Sequence, residues 1–293
     1  MANAISEKSM QIILKMQQNE VTEWATYKAL AQREKSAHNK EVLMRLSEEE
    51  LSHAKIWQAY TGKELKPEGF KVFWRKLMAV VMGFTFTVKL MEKGEINAGG
   101  IYRELSAEVP ESMSIAEQED APEKALIDML DEERLQYVGA MVLGLNDALV
   151  ELTGALAGIT FAMQNTRLIA LSGLITGISA TLSMASSEFL SAKSEGNPNA
   201  FKSCTYTGIA YLITVALLIT PYLLFGNEQY MLALGTMILI VVCIIAFFSY
   251  YIAVAKDLPF KKRFFEMFFI SIGVMVIAFF IGLLAKQLLG VDI

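Results

Sequence analysis

Apolar residues recur every three to four positions from about residue 6 to 36, Ile13, Met16, Val21, Trp24 and Leu30 among them, with no strand-like alternation. The spacing predicts a helix there, a second from about 39 to 61 ending at Gly62, a third from Pro67 to about 108, and a fourth beginning near Pro122. Past residue 137 the pattern changes. Nearly unbroken apolar runs lie near 138–163, 168–192, 205–225, 230–254 and 264–289, each long enough to cross a hydrocarbon layer of about 30 Å. The chain therefore reads as all-α, with a four-helix bundle over residues 1–137 and a five-helix transmembrane domain over 138–293. The third helix is unusually apolar between Leu77 and Val88. Such a stripe either enters a bundle core or rests on a bilayer surface, and the core is the commoner fate.

Charge divides the chain at the same place. Residues 1–137 hold 18 of the 26 Lys and Arg and 23 of the 31 Asp and Glu, so the first half is an acidic, soluble domain. Charges near its start, Glu7, Lys8, Lys15, Glu20 and Glu23, are unlike the apolar core expected of a cleavable secretory signal. Lys193, Lys202, Lys256, Lys261, Lys262 and Arg263 follow the second and fourth spans, whereas the opposite side carries Arg167 and Lys286. The positive-inside rule then places the first domain in the cytoplasm and the carboxyl terminus on the other side. Cys204 and Cys243 lie in or beside spans without metal-site spacing and read as packing residues. No basic, aromatic-rich patch or phosphate-cradling glycine loop points to nucleic acid or nucleotides.

The acidic residues fall in a pattern. Glu20 precedes Tyr27 by seven positions in helix 1, and Glu95 precedes Tyr102 by seven in helix 3, the mark of an internal duplication. Helix 2 supplies Glu50 and His53, three residues apart on one face, where both reach a single ion. Helix 4 supplies Glu133 with Gln136 three residues on. A Glu from each of two helices and Glu-x-x-His from each of the other two is the recipe of a carboxylate-bridged di-metal bundle. Three quarters of it is intact here. Glu23, Glu92 and Glu132 lie close enough in sequence to be additional ligands. An amide is a poor substitute for imidazole, so Gln136 weakens the second metal position or leaves it to Glu132.

On these residues, the segment from about 8 to 137 resembles the rubrerythrin and ferritin-like family. The resemblance implies a di-iron centre, with manganese or zinc as alternatives, that binds ferrous ions and oxidises them with oxygen or peroxide. The departure at Gln136 leaves open whether the centre turns over or only binds iron.

In the membrane half, ionisable groups mark a pathway because burying them in hydrocarbon costs a few kcal/mol each on insertion scales. Asp147 and Glu151 lie one turn apart in span 1, beside Asn146, and Met184 and Glu188 lie one turn apart in span 2. Oxygen and thioether ligands together favour transition metals over calcium or magnesium. Gly154-x-x-x-Gly158 and Gly173-x-x-x-Gly177 predict close packing of spans 1 and 2. Here the chain resembles the vacuolar iron transporter family over about residues 138–290, on Asp147, Glu151, Met184 and Glu188. That resemblance implies a homodimer that exchanges ferrous or manganous ions for protons. The loop at 193–203 is too short for the metal-binding insert of the plant members. The domain order is similar to the bacterial membrane-bound ferritin group of iron exporters, which implies a bacterial or archaeal inner membrane.

No Gly or Pro falls between Glu123 and Tyr137, so helix 4 is expected to run on into span 1, with Glu133 about four turns from Asp147. The function expected is export of ferrous iron, or of manganese, by proton antiport, with the first domain capturing the ion. The competing expectation is a membrane-anchored di-iron oxidoreductase acting as a ferroxidase or consuming peroxide.

Overall fold

A computed structural model describes residues 5–289 apart from 97–101, 103–104 and 119–122. Every regular element among the described residues is helical. The chain forms two compact units, Met1–Glu133 and Arg134–Ile293.

The first unit is organised by two long antiparallel helices, α1 (Glu7–Ala31) and α2 (Ala37–Thr61). Ser6 and Ser36 cap their starts by accepting hydrogen bonds from the Ser9 and Asn39 amides. Gly62, at φ 63°, closes α2 in the left-handed conformation. Against this pair lie α3 (Gly69–Met82), α4 (Phe84–Ile96), α5 (Glu111–Gln118) and α6 (Lys124–Asp128), and the short α7 (Glu133–Gln136) follows at the boundary between the units. One apolar cluster gathers Tyr27, Leu30, Leu43, Leu46, Val88, Met91, Leu126 and Ile127. Another gathers Ile13, Met16, Trp57, Tyr102, Leu105 and Ile115. Glu20 and Glu23 on α1, and Glu50 and His53 on α2, fall between these clusters along both helices. Tyr27 and Tyr102, the two tyrosines of the duplicated spacing, belong to opposite clusters.

The third helix is not continuous. Gly83, at φ 102°, separates α3 from α4, and a Cβ on it would strike the Glu132 carboxylate. Glu132 Oε2 instead accepts from the Thr85 amide at 3.0 Å, where α4 starts. The break divides the apolar stretch Leu77–Val88: Phe86 and Val88 of α4 are buried, while α3 buries no residue at all. The core expectation therefore holds only for the α4 part.

Helix 4 is not continuous either. α6 ends at Asp128, and residues 129–132 are non-helical. Side chains at the start of α2 occupy that backbone: His38 Nε2 lies 2.9 Å from the Met129 carbonyl oxygen, Asn39 Nδ2 donates to Asp131 O at 2.7 Å, and Asp131 N donates to Asn39 Oδ1 at 3.0 Å. These bonds take the place of a helical ladder. A single rod from Glu123 into the first span is therefore ruled out. Pro122, the expected start of this helix, lies outside the described residues.

The second unit consists of α8 (Val138–Met163), α9 (Thr166–Ser194), α10 (Ala200–Leu224), α11 (Tyr230–Ala255) and α12 (Phe260–Leu289). All five are long and apolar enough to cross a membrane. Large apolar side chains such as Leu182, Leu224, Phe247 and Phe269 are exposed on their outer faces, as expected for contact with lipid. Cys243 is also exposed rather than packed. The glycine pairs serve the predicted neighbour only in part. Gly154 and Gly158 of α8 face Ala278 of α12, and a Cβ on Gly282 would lie 3.1 Å from Gly158 O. Gly173 of α9 faces Leu156 of α8 as well as Ile219 of α10, and Gly177 faces Val215 of α10, so close approach joins α8 to α12 and sets α9 against both α8 and α10.

Candidate functional site

In the first unit, ligand atoms of Glu20, Glu50 and His53 lie within 4.8 Å of one another, and all three side chains are buried. The helical spacing explains the convergence: Glu50 and His53 share one face of α2, and the facing stripe of α1 presents Glu20. Trp57 Nε1 donates to Glu20 Oε1 at 3.2 Å, and His53 Nδ1 lies 3.8 Å from Glu20 Oε2. Glu23, one turn from Glu20, is held by Arg75 of α3 at 2.8 Å. Glu123, adjoining α6, is buried and accepts from Tyr27 Oη at 3.1 Å.

Burial of so many acids is costly, and the electrostatics record it. Desolvation raises the carboxyl of Glu50 well above its ordinary range, helped by the hydrogen bond it donates to Glu20 and by the charges of Glu20, Glu123 and Glu23. Desolvation also raises Glu20, against the lowering effect of that bond and of His53. Glu123 is pushed up to about 8 by burial first, then by Glu23, Glu20 and Glu92. Protons or a cation must hold such a group together. Two carboxylates and an imidazole are a donor set that suits a borderline divalent ion such as ferrous iron, manganese or zinc.

The structure thus brings together Glu20, Glu50 and His53, with Glu23 and Glu92 within electrostatic reach through Glu123. Glu133 and Gln136 are exposed. Glu132 is buried at the start of α4. The Glu95 side chain lies outside the described residues. Glu123 had been passed over, because only the break after α6 shows that residues 123 and 133 are not on one helix. A cavity of about 470 Å³ opens beside this group, lined by Glu20, Glu23 and Arg75 together with Phe70, Trp74 and Met78.

In the second unit, a cavity of about 600 Å³ runs between α8 and α9. Asp147 and Glu151 line one side and Thr176, Ser179, Ser183, Met184 and Ser187 the other, with no basic residue in the lining. Tyr211 of α10 donates to Glu151 Oε2 at 3.1 Å. Asn146 Oδ1 is buried with no hydrogen-bond partner among the described residues. Glu188 does not line the cavity and accepts from Ser203 Oγ at 2.5 Å. The predicted acids of span 1 therefore meet Met184, while Glu188 is tied to α10. The hydroxyl rows at 176, 179, 183 and 187 were not singled out in the sequence, although their spacing along one helical face is plain afterwards.

Residues 138–200, which span α8, α9 and the turn into α10, match the VIT family. No curated protein and no solved structure matches the chain.

Proposed function

We propose that this protein moves ferrous iron, or manganese, out of the cytoplasm in exchange for protons, and that the first unit is a ferritin-like metal-binding domain that captures the ion. The observation that carries the reading is the acid-lined cavity between α8 and α9, inside the segment that matches the VIT family. Asp147 and Glu151 bind a divalent ion when ionised and hold protons otherwise, which is the chemistry an exchanger needs. Met184 sulfur on the facing helix biases the site toward transition metals, and the hydroxyls of Ser179, Ser183 and Ser187 replace part of the water shed by the ion. Transport by a homodimer belongs to the same proposal, and the basic residues after spans 2 and 4 support a first unit in the cytoplasm.

In the first unit, Glu20, Glu50 and His53 would hold the ion, with Glu23, Glu92, Glu95 and Glu123 around them. Iron held there would supply a redox-active centre at which ferrous ion gives its electron to oxygen or peroxide. The protein's own part is to neutralise its acids with the cation and to bring the ion past Glu23 and Arg75.

The test is uptake of ferrous ion by proteoliposomes that enclose a metal-quenched dye. The intact chain quenches the dye, and Asp147→Asn and Glu151→Gln do not. Equal quenching by all three would refute the pathway. The buried Glu20, Glu50 and His53 group favours one second reading, an anchored di-iron oxidoreductase. Repeated oxygen consumption by the intact chain, unaffected by Asp147→Asn but lost in Glu50→Gln, would select it.

A further inference from the structure

α3 has an unusual composition for an exposed helix. Phe70, Phe73, Trp74, Leu77, Val80 and Val81 recur at the spacing of one helical stripe. All six are exposed, from 78 % for Phe70 to 42 % for Leu77. The opposite face carries the inward contacts: Arg75 reaches Glu23, and Ala79 packs against the buried cluster around Leu43 and Met91. Lys71 and Lys76 flank the stripe, and Lys71 extends to Glu68 on the exposed surface. The loop before α3 is fixed to α1, through Gln17 to Lys63 O at 2.7 Å, Gln18 to Lys66 O at 2.9 Å, and Thr22 Oγ1 accepting from Glu68 N at 3.2 Å. The helix is thus held by its polar side and presents its apolar side outward.

We infer that this stripe seats on the surface of a lipid bilayer, with Phe70, Phe73 and Trp74 at the boundary of headgroups and acyl chains and Lys71 and Lys76 among anionic headgroups. Two observations select lipid as the occupant. Aromatic residues on one face with lysines at its edges are the composition of an interfacial helix. The first unit ends at Glu133 and the first membrane-crossing helix begins at Val138, so the chain tethers the unit that carries α3 to a bilayer.

Tryptophan emission reads this directly, because Trp24, Trp57 and Trp74 are the chain's three tryptophans and all lie in the first unit. The intact chain is placed, one copy per disc, in nanodiscs of phosphatidylethanolamine and phosphatidylglycerol carrying brominated acyl chains. Bromolipid is expected to quench a component of emission that is missing in Trp74→Phe, and aqueous iodide should leave that component alone. Val81→Asp, which keeps all three tryptophans, should lose the bromolipid quenching and gain iodide quenching. Two results would overturn the inference. Iodide quenching of Trp74 with no effect of bromolipid would place the stripe in water. A Trp74 component shielded from both quenchers would seat that side chain in the cavity beside Glu23 and Arg75 and not on lipid. The outcome is independent of metal transport, so failure here and failure of the transport reading are distinguishable.

Discussion

Glu20, Glu50 and Glu123 are acids that have left water, with His53 3.8 Å from Glu20 and Arg75 engaged with Glu23. Their raised pKa values set the sign of a pH dependence. Between the ordinary Glu value of 4.5 and about 8, folded Glu123 keeps a proton that the unfolded chain has released. The unfolded state then binds fewer protons, so metal-free stability falls as pH rises through this window, by at most about 1.4 kcal/mol per pH unit for one group. Chelator-treated protein is expected to show its highest first-unit melting temperature near pH 5 and a progressively lower one toward pH 8. Ferrous or manganous ion should reverse the trend, because binding requires the deprotonated acids. A metal-free melting temperature that rises from pH 5 to 8 would contradict this assignment. Glu50→Gln removes an acid raised well above its ordinary range while keeping its shape, so it should raise metal-free stability at pH 8 and abolish the metal-induced increase. Glu20, Glu50 and His53 were legible in the sequence because three-residue and seven-residue spacings survive any continuous helix. Glu123 was not, since its register depends on where residues 129–132 leave the helix.

At the scale of elements, helix identity followed from periodicity, but helix length was decided by side chains distant in sequence. Asn39 and His38 hold the backbone at 129–131, and Glu132 fills the space beside Gly83. Apolar spacing carries no trace of such capture. Gly83→Ala combines a positive φ with a clash against the Glu132 carboxylate. It should cost about 1–3 kcal/mol, read as a lower urea midpoint of tryptophan emission. An unchanged midpoint would show that the α3–α4 break is not built on this glycine. In the membrane half the five spans were legible from length and hydropathy alone. Which glycine faced which helix was not, because small residues permit close approach without specifying a partner. Gly158→Leu should separate α8 from α12, lowering the thermal stability of the solubilised chain while leaving first-unit metal binding intact.

For the whole molecule, the two candidate sites lie in separate compact units, one buried among α1, α2 and α6 and the other between α8 and α9. The absence of a continuous helix between Glu123 and Tyr137 removes the rigid coupling that the sequence predicted. Capture and transport are then separable: Asp147→Asn should stop transport while first-unit binding of ferrous ion keeps its affinity, and Glu50→Gln should do the reverse at saturating ion. Loss of both activities in either variant would argue against two sites. The most direct measurement is ferrous-ion uptake into inside-out vesicles with an imposed gradient, acid inside, comparing the intact chain with Asp147→Asn. Gradient-dependent uptake, accompanied by a rise in lumen pH and lost in the variant, is the predicted result. Uptake that ignores the gradient, or no uptake by the intact chain, would contradict proton-coupled export.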